Sequence, residues 1–98
     1  MQSDNDQKKM TLRLSKPSFE FKPRWKEELV VSSNNGSFVL DLPMGVLSAY
    51  LPTQDIWYEI APMWAKDSWP ELRRELEAWC KENNAKLIID ATAYVGKG

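Results

Sequence analysis

Two short apolar runs on either side of Asn35-Gly36 form the clearest pattern in this 98-residue chain. An Asn-Gly dipeptide favours the positive backbone angles of a type I′ turn, and here it lies between two runs of mostly apolar residues. With Asn35 and Gly36 as the two loop residues, Leu29 pairs with Leu42 and Val31 with Leu40, and these side chains share one face. The other face then holds Val30, Ser32, Val39 and Asp41. The pattern therefore predicts a tight β-hairpin over residues 28–42.

Alternation of apolar and polar residues also marks the chain before this hairpin. It occurs over residues 10–14 and again over residues 19–22, which is the period of a half-buried strand interrupted once. Pro23 is expected to end this strand and to place it at the edge of a sheet, because proline donates no backbone hydrogen bond. Residues 1–9 have no apolar side chain after the first methionine and are expected to form a disordered tail.

Helical spacing replaces alternation after Pro52. Thr53 is a plausible helix cap, and apolar residues at helical spacing predict a short helix to about Ile60. Pro62 predicts a kink or a new helical start. A second, amphipathic helix is predicted over residues 68–82, and its apolar stripe consists of Trp69, Leu72, Leu76, Trp79 and Cys80.

Strands are predicted before and after these two helices. The first covers residues 46–51, and the second is Leu87-Ile88-Ile89, whose unbroken apolar run is typical of a strand buried on both faces at the centre of a sheet. Because a helical crossover precedes it, the second strand is expected to lie parallel to a neighbour. The chain beyond Val95 is expected to be loose. This order predicts one α+β domain over residues 10–95, a mostly antiparallel sheet of four to five strands with two helices packed on one face.

Composition excludes several classes of function. The chain has no histidine, so it lacks the usual general base and the commonest metal ligand. The four glycines leave no loop that would hold a phosphate, and we expect no cofactor. Cys80 is the only cysteine, and no apolar leader is present, which favours a reducing, cytoplasmic location. No apolar run approaches the roughly 20 residues of a membrane-spanning helix.

Charge is distributed unevenly along the chain. Residues 1–27 contain seven basic and four acidic side chains, for a net charge of +3, whereas the remaining 71 residues contain six basic and ten acidic ones, for −4. Nucleic-acid binding by the basic arm would require a denser basic patch with stacking aromatic residues. An edge strand protected by lysines is the commoner explanation, so nucleic acid is not the expected partner.

Tryptophan is unusually abundant. The chain has five tryptophans and only four glycines, and a core of this size has room for two or three fully buried indoles. Trp57 lies off the apolar stripe of its helix and Trp69 begins the next one, so these two are candidates for an exposed binding patch. The alternative is that they cover the edge of the core. Acidic residues nearby would complement a basic partner. The predicted partner-binding residues are Trp57, Trp69, Asp41, Glu71, Glu75 and Glu77.

Candidate catalytic groups are few. Cys80 lies on an apolar stripe with no group to lower its pKa, which indicates a buried structural thiol. Four aspartates at strand or helix ends could form a carboxylate pair, although their spacing does not indicate one; these are Asp41, Asp55, Asp67 and Asp90. We therefore expect a chain that is not an enzyme, with a two-carboxylate enzyme as an alternative.

One resemblance adds to this interpretation. The segments Phe38 to Pro43, Leu47 to Thr53, Trp69 to Leu72 and Leu87 to Asp90 occur in an order and style that resemble small immunity-type proteins accompanying bacterial polymorphic or contact-dependent toxins. The resemblance covers roughly residues 28–95, includes no diagnostic motif and assigns no contact residue. It implies a cytoplasmic, non-catalytic inhibitor that binds a cognate toxin domain and covers its active site. The alternative from another class is a structural or assembly protein that associates with itself, as a homodimer for example.

Overall fold

The computed structural model describes residues 18–25, 27–43 and 45–98, and they form an α+β fold as predicted. The predicted strand over residues 10–14 and the predicted tail over residues 1–9 lie outside the described residues. The strands are β1 (Glu20–Arg24), β2 (Glu28–Ser33), β3 (Gly36–Asp41), β4 (Ser48–Leu51), β5 (Lys86–Ile89) and β6 (Val95–Lys97). The helices are α1 (Gln54–Ile60), a 3-10 helix (Met63–Ser68) and α2 (Trp69–Glu82).

The strands form two sheets. Four of them form an antiparallel sheet in the order β1-β2-β3-β6, and β4 pairs with β5 in a parallel sheet of two strands. Within the described residues β1 lies at the edge of its sheet, as predicted, and the prediction that the strand after α2 is parallel to a neighbour is confirmed. Pro23 lies inside β1, opposite Leu29, and does not end the strand. An edge strand accepts proline because one side of its backbone needs no partner.

The predicted hairpin is present, but its register differs from the prediction. Ser33 pairs with Gly36, so the loop residues are Asn34 and Asn35, and Leu29 lies opposite Leu40, not Leu42. The prediction of a type I′ turn is also wrong. Such a turn needs a positive φ at both loop residues, but Asn34 and Asn35 have none, and the positive φ, of 152°, is at Gly36. A shift of two residues leaves every side chain on its predicted face, because the period of a strand is two.

Two predictions about the end of the chain are wrong. β5 is not a central strand: its described pairing is with β4 alone, and Ile89 is 37% exposed. The chain beyond Val95 is not loose, since β6 pairs with β3. A strand of three residues is too short to show a periodic pattern, so the sequence does not reveal β6.

The core lies between the inner face of the antiparallel sheet, the β4-β5 pair and the helices. Phe38 is at its centre, with its ring centroid 5.1 Å from that of Trp57 and 6.5 Å from that of Phe19. Leu72, Leu76 and Cys80 form the buried side of α2. This packing places α2 beside β1, where a groove opens.

Candidate functional site

Trp57 is not part of an exposed patch, and this prediction is wrong. Its side chain is fully buried, with the indole against Phe38. The indole N–H donates a hydrogen bond of 2.9 Å to the carbonyl oxygen of Ala65. The chain turns back after α1, and the 3-10 helix then covers the indole. The ring is therefore buried, and its one polar atom has a hydrogen-bond partner inside the protein.

Trp69 is half-buried and connects two parts of the fold. Its indole N–H donates to the carbonyl oxygen of Pro52 over 2.8 Å, which joins the start of α2 to the end of β4. The guanidinium of Arg73 lies 5.7 Å from the centre of the ring. Trp69 therefore covers the edge of the core, which is the alternative that the sequence left open for it.

Two of the predicted acidic residues bind the chain that leads into β1. The carboxylate of Glu75 accepts hydrogen bonds from the backbone N–H groups of Ser18 (3.0 Å) and Phe19 (2.9 Å). Glu71 accepts a hydrogen bond from the hydroxyl of Ser18. These carboxylates attach the start of β1 to α2 and so determine where the strand lies against the helix.

Asp41 and Glu77 lie elsewhere. Asp41 is exposed at the end of β3. It lies four residues, or about 13 Å, along β3 from Ser37, which is at the same end of the sheet as Glu20 and the start of β1. Glu77 is exposed on α2 and is close enough to Cys80 to raise the pKa of its thiol. The structure therefore does not bring the six predicted residues together on one surface.

A groove lies between β1 and α2, which we call the β1–α2 groove, with a volume of about 450 Å³. Its floor is aromatic: the ring centroids of Phe21 and Trp79 are 6.2 Å apart, and both side chains are half-buried. The lining residues are Phe19, Glu20, Phe21, Lys22, Glu75, Ala78, Trp79 and Glu82. Three acids and one lysine give this lining a net charge of −2, which favours a positively charged ligand.

The groove adjoins the outer edge of the antiparallel sheet. Within the described residues, β1 pairs only with β2, so its other side has no strand beside it. An open strand edge next to an apolar groove is an arrangement that binds extended peptide segments, because the backbone pairs with the edge while alternate side chains enter the groove. Its position makes the β1–α2 groove the candidate functional site.

Sequence reasoning missed most of this groove. Phe21 and Trp79 were both recognised as apolar positions, but their periodicity assigned them to the core. Glu75 was predicted to bind a partner, and the structure places it in the groove wall while it also holds β1. No signal in the sequence shows that β1 and α2 diverge enough to leave an opening between them.

Exposed apolar side chains also occur away from this groove. Trp25 and Met63 are each 82% exposed, and Ile60 lies beside a cleft of about 390 Å³ that Phe38, Pro62 and residues 95–98 also line. Trp25 follows β1 directly. It is a highly exposed tryptophan, but the sequence analysis did not identify it as a candidate for a binding patch. Among the residues that line this cleft, only Lys97 has an ionisable side chain.

Three of the described titratable groups have a pKa that departs from its ordinary value. Burial raises the pKa of the Cys80 thiol, and the negative charge of Glu77 raises it further. The pKa of Asp55 is lowered by a hydrogen bond from the side chain of Thr53, and that of Asp90 by hydrogen bonds from the N–H and hydroxyl of Thr92. Among residues 18–25, 27–43 and 45–98, no group of three acidic or cysteine side chains is placed to hold a metal ion.

Comparisons with models of protein families, with curated proteins and with solved structures found no match for this chain. The resemblance to immunity-type proteins therefore stays a prediction. In the part of the chain that the structure describes, no helix has the length and apolar character needed to cross a membrane.

Proposed function

We propose that this chain is a non-catalytic protein-binding domain that holds a basic, extended segment of a partner protein in the β1–α2 groove. The observation that carries the proposal is the aromatic floor of Phe21 and Trp79, enclosed by acidic side chains and placed beside an open strand edge. Half-buried aromatic side chains in a groove are the usual anchors of protein interfaces.

The chemistry of the groove limits what fits it. An extended segment that adds to the outer edge of β1 would direct every second side chain toward Phe21 and Trp79. The net charge of −2 around these rings favours lysine and arginine at the remaining positions. The preferred ligand is therefore a segment in which apolar and basic residues alternate.

The partner class that we favour is a bacterial toxin domain with a basic active-site surface. A toxin that acts on nucleic acid needs such a surface to bind phosphate groups, and an acidic inhibitor would occupy it by charge complementarity. The resemblance in the order of elements supports the same role. A single, buried cysteine, Cys80, fits the reducing environment of the cytoplasm, where an immunity protein would act.

A peptide-binding experiment tests the groove directly. The probe is a labelled heptapeptide of alternating lysine and leucine, titrated with the full chain and followed by fluorescence anisotropy, with an alternating glutamate and leucine peptide as its counterpart. We expect the basic peptide to bind and the acidic one not to bind. Glu82→Lys should weaken binding by about fivefold or more, which corresponds to about 1 kcal/mol, because it reverses a charge at the groove.

Glu77→Lys is the matched control, since it makes the same charge change on an exposed position of α2 outside the groove lining. It should leave affinity within about twofold, and Lys22→Glu should strengthen binding because it removes the one basic side chain of the lining. Equal effects of Glu82→Lys and Glu77→Lys would overturn the proposal. Tighter binding of the basic peptide after Arg13→Glu and Lys16→Glu would show that the chain's own amino-terminal segment competes for the groove. This result would overturn the proposal too.

A second experiment tests the toxin partner separately. The product of the adjacent gene is expressed in a bacterial host, alone and together with this chain, and growth is measured; we expect that product to stop growth when it is expressed alone. Wild type and Glu77→Lys should restore growth, and Glu82→Lys should restore it less. A failure of all three, with peptide binding intact, would reject the toxin and keep the groove.

A further inference from the structure

The sequence of β5 is typical of a central strand, whereas its position in the structure is at an edge. Leu87, Ile88 and Ile89 are apolar without interruption, which is typical of a strand with neighbours on both sides. Within the described residues β5 has one neighbour, β4, and Ile89 is 37% exposed. A sheet of two short strands with an apolar outer edge is an arrangement that a further strand would stabilise.

The backbone of β5 has hydrogen-bonding groups available at this edge. The N–H groups of Lys86 and Asp90 donate to the carbonyl oxygens of Leu47 and Leu51, each over 2.9 Å, on the side of β4. Successive residues of a strand direct their backbone polar groups to opposite sides, so those of Leu87 and Ile89 point away from β4. Among residues 18–25, 27–43 and 45–98 these groups have no hydrogen-bond partner.

We propose that a second copy of this chain pairs with β5 in an antiparallel arrangement, with the two-fold axis at Ile88. In this register Leu87 lies opposite Ile89 of the second copy, and the two residues exchange both backbone hydrogen bonds. Ile88 lies opposite Ile88 of the second copy. The two parallel pairs then become one sheet of four strands, and β5 occupies the central position that its sequence predicts.

Charge complementarity selects a second copy as the occupant. The same register places Lys86 of one copy opposite Asp90 of the other, on both sides of the axis. Lys86 is exposed, and the carboxylate of Asp90 accepts hydrogen bonds from the N–H and the hydroxyl of Thr92. Available backbone groups, apolar side chains and opposite charges therefore all match in one self-complementary register. The interface uses no residue of the β1–α2 groove, so it is independent of the proposed function.

Cross-linking tests this register. In an antiparallel sheet the Cα atoms of a non-hydrogen-bonded pair such as the two Ile88 residues are about 4.5 Å apart, which is within disulfide range. Ile88→Cys in the full chain should therefore form an intermolecular disulfide on mild oxidation, detected by non-reducing electrophoresis. Ile89→Cys is the matched control, because residue 89 faces residue 87 of the second copy and not itself. The native Cys80 is buried and contributes little to either variant.

We expect the disulfide dimer of Ile88→Cys to form at least about tenfold faster than that of Ile89→Cys. Sedimentation equilibrium of the unmodified chain should show a monomer–dimer equilibrium, which Lys86→Glu weakens about threefold or more by placing two acids opposite each other. Adding Asp90→Lys to Lys86→Glu should strengthen the dimer relative to either single variant. Equal cross-linking rates, or a monomer at every concentration up to about 1 mM, would overturn the proposal.

Discussion

The indole of Trp64 lies directly over the backbone of Gly36. A Cβ atom placed on Gly36 would be 2.8 Å from Nε1 of Trp64, which is closer than side chains approach in proteins. Gly36 also has a φ of 152°, a value that residues with a side chain rarely adopt. This contact accounts for the hairpin register, because glycine is needed at the first position of β3 and not within the loop.

Replacement of Gly36 should therefore destabilise the protein. Gly36→Ala should lower the free energy of unfolding by about 1–3 kcal/mol, because it adds both a collision with Trp64 and an unfavourable backbone angle. Gly45→Ala is the control, since a Cβ there would meet no atom within 4 Å, and it should change the free energy by less than about 0.5 kcal/mol. Urea unfolding measures both values, and equal effects would contradict the proposed role of the contact.

The burial of Trp57 leads to a second prediction. Trp57→Phe should lower the free energy of unfolding by about 2 kcal/mol or more, since it leaves the carbonyl of Ala65 without its donor and opens a cavity beside Phe38. Trp25→Phe, at a position that is 82% exposed, should have an effect below about 0.5 kcal/mol. Thermal unfolding compares the two variants, and a larger effect at Trp25 would contradict the burial of Trp57.

Glu75 provides a third prediction. Glu75→Ala should cost about 1–3 kcal/mol, because two backbone N–H groups lose an ionised acceptor and β1 loses its attachment to α2. Glu77→Ala, at an exposed position of the same helix, should cost less. Amide hydrogen exchange at Phe19 should become faster in the first variant only, and unchanged protection there would show that Glu75 does not hold the strand.

Cys80 should be unreactive in the folded protein. Burial and the charge of Glu77 raise its thiol pKa above 9.0, the ordinary value, so little thiolate forms near neutral pH. We expect an aromatic disulfide reagent at pH 8 to modify Cys80 slowly in buffer and rapidly in urea. A fast reaction in buffer would contradict the burial.

The same pKa change predicts how stability depends on pH. The folded state binds the thiol proton more tightly than the unfolded state does, so the contribution of Cys80 is complete below about pH 9 and is lost as the pH rises through the folded pKa. Cys80→Ala should therefore show a shallower loss of stability above pH 9 than the native chain does. Parallel stability curves for the two proteins, measured by urea unfolding, would contradict this assignment.

Local patterns in the sequence predict most elements of the fold. Pro52 and Thr53 mark the start of α1. The apolar stripe of α2 predicts a helix whose bounds agree with those of the structure to within one residue. These features depend on neighbouring residues, which is why they can be recognised without a structure. The predicted binding residues depend on long-range packing, and Trp57 shows the result: its helix is predicted correctly and the exposure of its side chain is not.

By itself, the sequence determined the α+β class, the hairpin, the two main helices and the inward faces of β1, β2 and β3. These follow from a period of two or 3.6 residues and from the backbone preferences of proline and glycine. Only the tertiary structure decided which indoles are covered, that Glu75 holds β1, and that β1 and α2 leave a groove over Phe21 and Trp79. Burial depends on contacts between residues more than fifty positions apart along the chain, such as Phe19 and Glu75, and a local pattern contains no information about them.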